Sequence, residues 1–341
     1  MTTAVVCPDK FRGSLSASEA AAAIVEGLRR GGIEDAVALP LADGGEGTLD
    51  ALIAAVGGSR RTAEVTGPLG EPVVAEWGML RGGTAVVEMA RASGLALVAG
   101  RNDPLRASSR GTGELIGVAA REGARRIIVG VGGSASTDGG LGAIDALGWK
   151  LPTIEVTVAC DVTTPFLDAA RVYGPQKGAT PAQIELLTRR LGKLADTYES
   201  RKGVDVRALE SGGAAGGLAG GLAALGANLE PGFDVVATAA GFGDALEHAA
   251  IVVTGEGKLD VTSLVGKVVG GALEWAAEQQ IAQRAVIAGH VDDDARSALE
   301  AQGVVVLALD ERAWEPEESF TRAALLAEEA ALDLARTFLA R

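Results

Sequence analysis

The sequence predicts an α/β chain of two domains: a discontinuous parallel-sheet domain assembled from both ends of the chain, and a mixed α/β domain inserted between them. Three observations predict it. Strand–loop–helix units recur near the N-terminus and again beyond His248, the pattern of a parallel sheet. Residues 61–88 instead alternate over short segments broken by Gly67-Pro68-Leu69-Gly70 and Arg81-Gly82-Gly83, as antiparallel hairpins do. The 341 residues, 48% hydrophobic and 22% charged, are enough for two cores.

Taken in order, residues 4–7 are an apolar strand, and Ser16-Ala17-Ser18-Glu19 is a capping box ahead of Ala21, Ile24, Val25 and Leu28 at helical spacing. Residues 36–41 make the second strand, and Leu49, Ile53 and Val56 line one side of the helix after it. The inserted part holds a helix after Thr112, strands at 126–131 and 156–160, and a helix after Pro181. It also holds a glycine-rich run at 212–221, read as a loop feeding a tightly packed helix because Leu218, Leu222 and Leu225 keep helical spacing. Strands at 251–253, 285–288 and 304–307 and an amphipathic helix from about Phe320 close the chain. The expected division is 1–60 with 241–341, a sheet of Rossmann or flavodoxin type, and 61–240 for the insertion.

Composition excludes several functions. A net charge of −14 leaves no basic surface for nucleic acid or an anionic membrane. No apolar run approaches the ~18 residues of a membrane span, and Met1-Thr2-Thr3 enters a strand without a basic leader, so a cytoplasmic address is expected. His248 and His290, with no HExxH or CxxC, are too little for a protein-only zinc site or a Ser-His-Asp triad. Cys7 and Cys160 read as buried apolar thiols.

Chemistry gathers in four segments after strands, where α/β proteins bind ligands. In Pro8-Asp9-Lys10-Phe11-Arg12-Gly13-Ser14, the cations suit phosphate or carboxylate oxygens and Asp9 suits a hydroxyl proton or magnesium. Ala42-Asp43-Gly44-Gly45-Glu46-Gly47 sets two carboxylates among glycines that allow close approach, with Asp43 the first choice for base or metal ligand. The 130–140 segment reads as a phosphate loop: amides at the following helix start would cradle an anion beside Gly132 and Gly133, with Ser134 and Thr137 adding donors. It is not a Walker A motif, and its Gly130-x-Gly132-x-x-Ala135 pattern leaves a nicotinamide-dependent oxidoreductase as a rival. Thr254-Gly255-Glu256-Gly257-Lys258-Leu259-Asp260, with Lys267 beyond, reads as a nucleotide or metal edge. Ser108-Ser109-Arg110-Gly111-Thr112 and Tyr173-Gly174-Pro175-Gln176-Lys177 add donors suited to a small carboxylate. A non-catalytic module for small anions is a second rival, which leaves the loop carboxylates unexplained.

In order along nearly the whole chain, this set resembles the bacterial glycerate kinase family, the class unrelated to the MOFRL-type enzymes. The resemblance rests on Pro8-Asp9-Lys10-Phe11, Ala42-Asp43-Gly44-Gly45-Glu46-Gly47-Thr48, Thr66-Gly67-Pro68-Leu69-Gly70, Glu88-Met89-Ala90 and Ser109-Arg110-Gly111-Thr112-Gly113-Glu114. It continues through the 132–140 loop, Ala159-Cys160-Asp161-Val162, Gly174-Pro175-Gln176-Lys177-Gly178, Gly213-Ala214-Ala215-Gly216-Gly217 and Thr254-Gly255-Glu256-Gly257. It implies ATP and Mg2+, D-glycerate as acceptor, and an active site in the cleft between two α/β domains. The roles expected are Asp43, Asp9 and Lys10 in catalysis, and Arg12, Ser14, Ser109, Arg110, Gln176 and Lys177 for substrate. Gly132, Gly133, Ser134, Thr137 and Lys267 would serve ATP phosphates, with Glu256 and Asp161 for metal. The family favours 2-phosphoglycerate over 3-phosphoglycerate as product, and a homodimer stays open. Two connections, near residues 150 and 168, are shorter than the family's, and Thr164 stands where Asn is common.

Overall fold

Eleven strands run through the structure, a computed structural model that describes residues 3–315 and 317–340. They are β1 (Ala4–Val6), β2 (Ala36–Ala38), β3 (Gly58–Thr66), β4 (Pro72–Leu80), β5 (Thr84–Glu88), β6 (Arg126–Gly130), β7 (Glu155–Cys160), β8 (Asn228–Pro231), β9 (Ile251–Leu259), β10 (Gln283–Val291) and β11 (Val305–Ala308). They form two sheets, of order β11-β10-β9-β1-β2 and β3-β4-β5-β6-β7-β8. The chain divides into two units: residues 1–43, 50–56 and 236–341, and residues 44–49 with 57–235.

In the first unit every strand pair is parallel, with Val5 level with both Val37 and Val252. β1 is buried along its length, which is why it reads as an uninterrupted apolar run: helices cover both faces of such a sheet. Helix Ala17–Arg30 begins on the expected capping box, the Glu19 amide donating to Ser16 Oγ at 3.2 Å and the Ser16 amide to Glu19 Oε2 at 2.8 Å. It buries Ala20, Ala21, Ile24, Val25 and Leu28 against the C-terminal helix Ala323–Leu339, so the two ends of the chain share one core.

In the second unit β3, β4 and β5 are antiparallel, as the alternation at 61–88 predicts, and β5 to β8 are parallel. Helix Pro181–Lys202 starts at a Thr180–Gln183 capping box and buries Leu187, Leu191, Ala195 and Tyr198, a single stripe at helical spacing. The glycine-rich run is a left-handed break at Ala215, Gly216 and Gly217 inside helix Ala214–Ala224. A Cβ on Gly216 would lie 2.1 Å from the Ser136 carbonyl oxygen, so only glycine lets this turn meet the 130–140 loop.

Two expectations need correction. The Thr254–Asp260 segment is not a loop: β9 continues to Leu259, paired with β10 so that Glu256 sits level with Ala288. Its glycines mark close approach instead, since a Cβ on Gly255 would fall 1.9 Å from the Ile287 carbonyl oxygen. The helix start after the 130–140 loop is not an open anion cradle either. In helix Leu141–Ala146 the amides of Gly140 and Gly142 donate to the Asp138 carboxylate at 3.1 and 3.2 Å, and that of Leu141 to the Asp138 carbonyl at 3.2 Å.

Candidate active site

The first unit gathers acid and cation at the carboxyl edge of its parallel sheet. Backbone bonding runs past the strand ends: the Asp9 amide donates to the Gly255 carbonyl and the Leu41 amide to the Pro8 carbonyl, at 2.8 and 3.1 Å. Asp9, half-buried after β1, is therefore level with Gly255 in the middle of β9. Burial pushes its carboxyl up to about 6; the nearby Asp43 charge adds to this, while the Lys10 amide, donating to Oδ1 at 2.6 Å, and the Lys10 and Arg12 charges oppose it. Glu256 is raised further, to about 7, again by burial first, with repulsion from Asp9 and Asp260 partly offset by Ser263 and Lys267. Its Oε1 is buried without a hydrogen-bond partner. Asp260 turns away to accept from the Thr262 amide and hydroxyl at 2.8 and 2.6 Å. Lys267 stands half-buried just ahead of helix Val268–Glu278, and Arg12 is exposed. Ser14 spends its hydroxyl on the Phe11 carbonyl at 3.1 Å.

The second unit presents the other half of the expected residues at the carboxyl ends of β5, β6 and β7. Gly132 is half-buried and Gly133 exposed, whereas Ser134 and Thr137 are buried. Gly132 packs so closely on the 44–49 segment that its Cβ would lie 2.9 Å from Gly45 Cα. Asp161 is exposed after β7, and Glu46 is exposed in its own loop. Arg110 is exposed, its Nε donating to Glu114 Oε1 at 2.9 Å while Glu114 also holds the Thr66 amide at 2.7 Å. Gln176 is exposed.

Ser109 and Lys177 are placed differently from the rest. Ser109 is fully buried, donating its hydroxyl to Asp138 Oδ2 at 2.9 Å and accepting from the Ala143 amide at 3.1 Å. It ties two helix starts together and offers nothing to a substrate. Lys177 is buried beneath the 132–137 loop rather than projecting from a turn.

Sequence reasoning assigned no role to Glu88 or Asp138. Glu88 ends the apolar strand β5, and its Oε1 accepts from the amides of Gly47 and Leu49 at 2.9 and 3.0 Å, while Oε2 accepts from Arg91 at 3.0 Å. A lone carboxylate closing a buried strand was the available signal. His290 is held by Asp310 at 2.6 Å and Asp292 at 3.2 Å, which raise its affinity for a proton; both thiols are buried, and burial pushes each up to about 12. Among the described residues no helix is long and apolar enough to cross a membrane.

Comparison with known proteins identifies the family. The model of the glycerate kinase family matches residues 4–153 and 149–339, the two matches meeting between helix Leu141–Ala146 and β7. A glycerate 2-kinase of Escherichia coli (strain K12) is 43% identical over 328 residues, covering 85% of this chain and 86% of that protein. A glycerate kinase of Bacillus subtilis (strain 168) is 39% identical over 370 residues, covering 97% and 96%. A crystal structure described as glycerate kinase 2 from Salmonella typhimurium LT2 superposes with a TM-score of 0.83 at 35% identity, covering 99% of this chain and 98% of that one. With matches that run over nearly the whole chain, the chain belongs to the glycerate kinase family.

Proposed function

We propose that this chain moves the γ-phosphoryl group of ATP onto the 2-hydroxyl of D-glycerate, giving 2-phosphoglycerate and ADP in the cytoplasm. The observation that carries the reading is the grouping of Asp9, Asp43 and Glu256 with Lys10, Arg12 and Lys267 at one sheet edge. Phosphoryl transfer asks a protein for positioning and charge compensation, which such a set supplies. The name of the Escherichia coli relative supports the 2-position.

In the proposed step the glycerate hydroxyl loses its proton to Asp43, or to Asp9, as its oxygen bonds to the γ-phosphorus and the bond from that phosphorus to the ADP oxygen breaks. Asp9, raised to about 6, is a stronger base than an ordinary aspartate and still largely ionised at neutral pH. Lys10, Arg12 and Arg110 are assigned to the carboxylate of glycerate and the moving phosphoryl group, and Gly132, Gly133 and Lys267 to the phosphates of ATP.

The residues fit a magnesium ion. Glu256 has a buried, unpartnered oxygen, and the mutual repulsion of Asp9 and Glu256 would be relieved by a cation. Among the described residues no three acidic, histidine or cysteine side chains form a metal-binding group. That suits a metal that keeps water and phosphate ligands and takes only one or two carboxylates from protein, here Glu256 with Asp9, and Asp161 as the second unit's candidate. When bound, the ion supplies charge neutralisation for the phosphates.

Coupled ADP release with D-glycerate, L-glycerate or no acceptor tests the reading, with phosphorus NMR of the product. D-glycerate-dependent release and a 2-phosphoglycerate signal are expected, and turnover should fall by about 10²-fold or more in Asp43→Asn. A folded, ATP-binding protein with no acceptor-dependent turnover would overturn it. The oxidoreductase reading has no such footing, because the Gly130-x-Gly132-x-x-Ala135 pattern does not open a helix: the Ala135 amide donates to Ser93 instead, at 3.0 Å.

A further inference from the structure

Lys177 is 2% exposed, and the groups its ammonium donates to are a hydroxyl and a backbone carbonyl. Nζ donates to Ser134 Oγ at 2.7 Å and to the carbonyl oxygen of Ser136. Asn102 Nδ2 donates to the Lys177 carbonyl at 2.9 Å and to the Ala135 carbonyl at 3.3 Å. Three successive loop residues are thus held by side chains, and Ser93 and Leu95 hold the backbone of Ala135 and Gly133 at 3.0 and 2.8 Å. Two other hydroxyls of the loop contribute nothing to this: Ser136 Oγ and Thr137 Oγ1 are buried without partners.

An isolated ammonium is expensive to bury, and an apolar side chain of the same length would fill the space without that cost. What an apolar side chain cannot do is hold a hydroxyl oxygen and a carbonyl oxygen at once. We infer that Lys177 is a positioning residue for phosphate binding, its buried ammonium fixing the 132–137 loop so that Gly132 and Gly133 meet the phosphates of ATP in one conformation. The inference rests on the reading of this loop as the ATP phosphate site.

Burial holds Lys177 down to about 7, with Asp138 at the far end of the same loop pulling it upward. The side chains that the other packed segments bring to this network, Asn102 and Ser93, are neutral. An anion arriving at Gly132 and Gly133 favours the charged amine, so binding draws a proton onto Lys177 at pH 7.5.

Calorimetry of MgATP binding to the full chain in buffers of different ionisation heat tests this, with Lys177→Met and Ser134→Ala beside the wild type. At pH 7.5 the wild type should take up more protons than Lys177→Met, the proton that magnesium displaces from Glu256 being common to both. Lys177→Met should bind MgATP about tenfold more weakly, the scale of one charged hydrogen bond. It should lose that protein-linked uptake and raise KM for ATP with little change in KM for glycerate; Ser134→Ala should fall between. A folded Lys177→Met with wild-type affinity and proton uptake overturns the inference and leaves the kinase reading intact. A wild type that binds no ATP overturns the kinase reading, and the inference with it. If Lys177→Met does not fold, unchanged affinity in Ser134→Ala overturns the inference.

Discussion

Asp9 and Glu256 hold their charges against burial and each other, and the sign of the consequence can be worked out. Each carboxyl is raised in the folded chain, from 3.8 to about 6 and from 4.5 to about 7, so the folded state binds these protons more tightly than the unfolded one. Their ionisation therefore removes stability as pH climbs from about 4 to 7, and the loss persists above that. Asp9→Asn and Glu256→Gln should melt at higher temperature than the wild type at pH 8, while turnover falls, a trade common at active sites. A lower melting temperature for both at pH 8 would refute the assignment of uncompensated charge. The pH profile of kcat/KM should rise between pH 5 and 8, because the ionised forms accept the proton and bind the metal, and excess Mg2+ should move the rise to lower pH. These acids were legible in the sequence because each follows an apolar run, Ala4 to Cys7 for Asp9 and Ile251 to Val253 for Glu256. Lys177 and Ser109 read as ligand contacts because nothing local shows that partners 43 and 29 residues away consume their polar atoms.

At the scale of the element, the 44–49 loop depends on an anchor outside itself. Glu88 receives two of its amides, so Glu88→Ala leaves buried donors unpaired, a loss of about 1–3 kcal/mol per group. Urea unfolding should show that loss, and turnover should fall with it; Glu88→Gln, which keeps an oxygen for Gly47 and Leu49, should retain most of the stability. Equal unfolding midpoints for Glu88→Ala and wild type would dismiss the anchoring role. Strands and helices with strong periodicity were readable, as at Ala17–Arg30 and Pro181–Lys202. Thr254 to Leu259 was misread because its glycines resemble loop composition, and only the carbonyl of Ile287 on the neighbouring strand explains them.

Across the whole molecule, the first unit is closed by contact between the chain's two ends. Helix Ala17–Arg30 meets helix Ala323–Leu339 at Gly27, where a Cβ would lie 2.1 Å from the Glu328 carbonyl oxygen. Gly27→Val should force the helices apart and cost about 1–3 kcal/mol or more, read as a lower melting temperature. An unchanged melting temperature would mean that the end-to-end packing tolerates a wider spacing. The sequence by itself determined the α/β class, the helix starts and the acids along the sheet edges, because strand burial, capping and periodicity act over a few residues. Tertiary structure alone decided which polar groups remain free for a ligand: Asp138 fills the helix start that looked like an anion cradle, and Ser134 and Ser136 receive Lys177. The physical reason is that a buried polar atom takes whichever partner folding brings within about 3 Å, and that partner is set by the packing of distant segments.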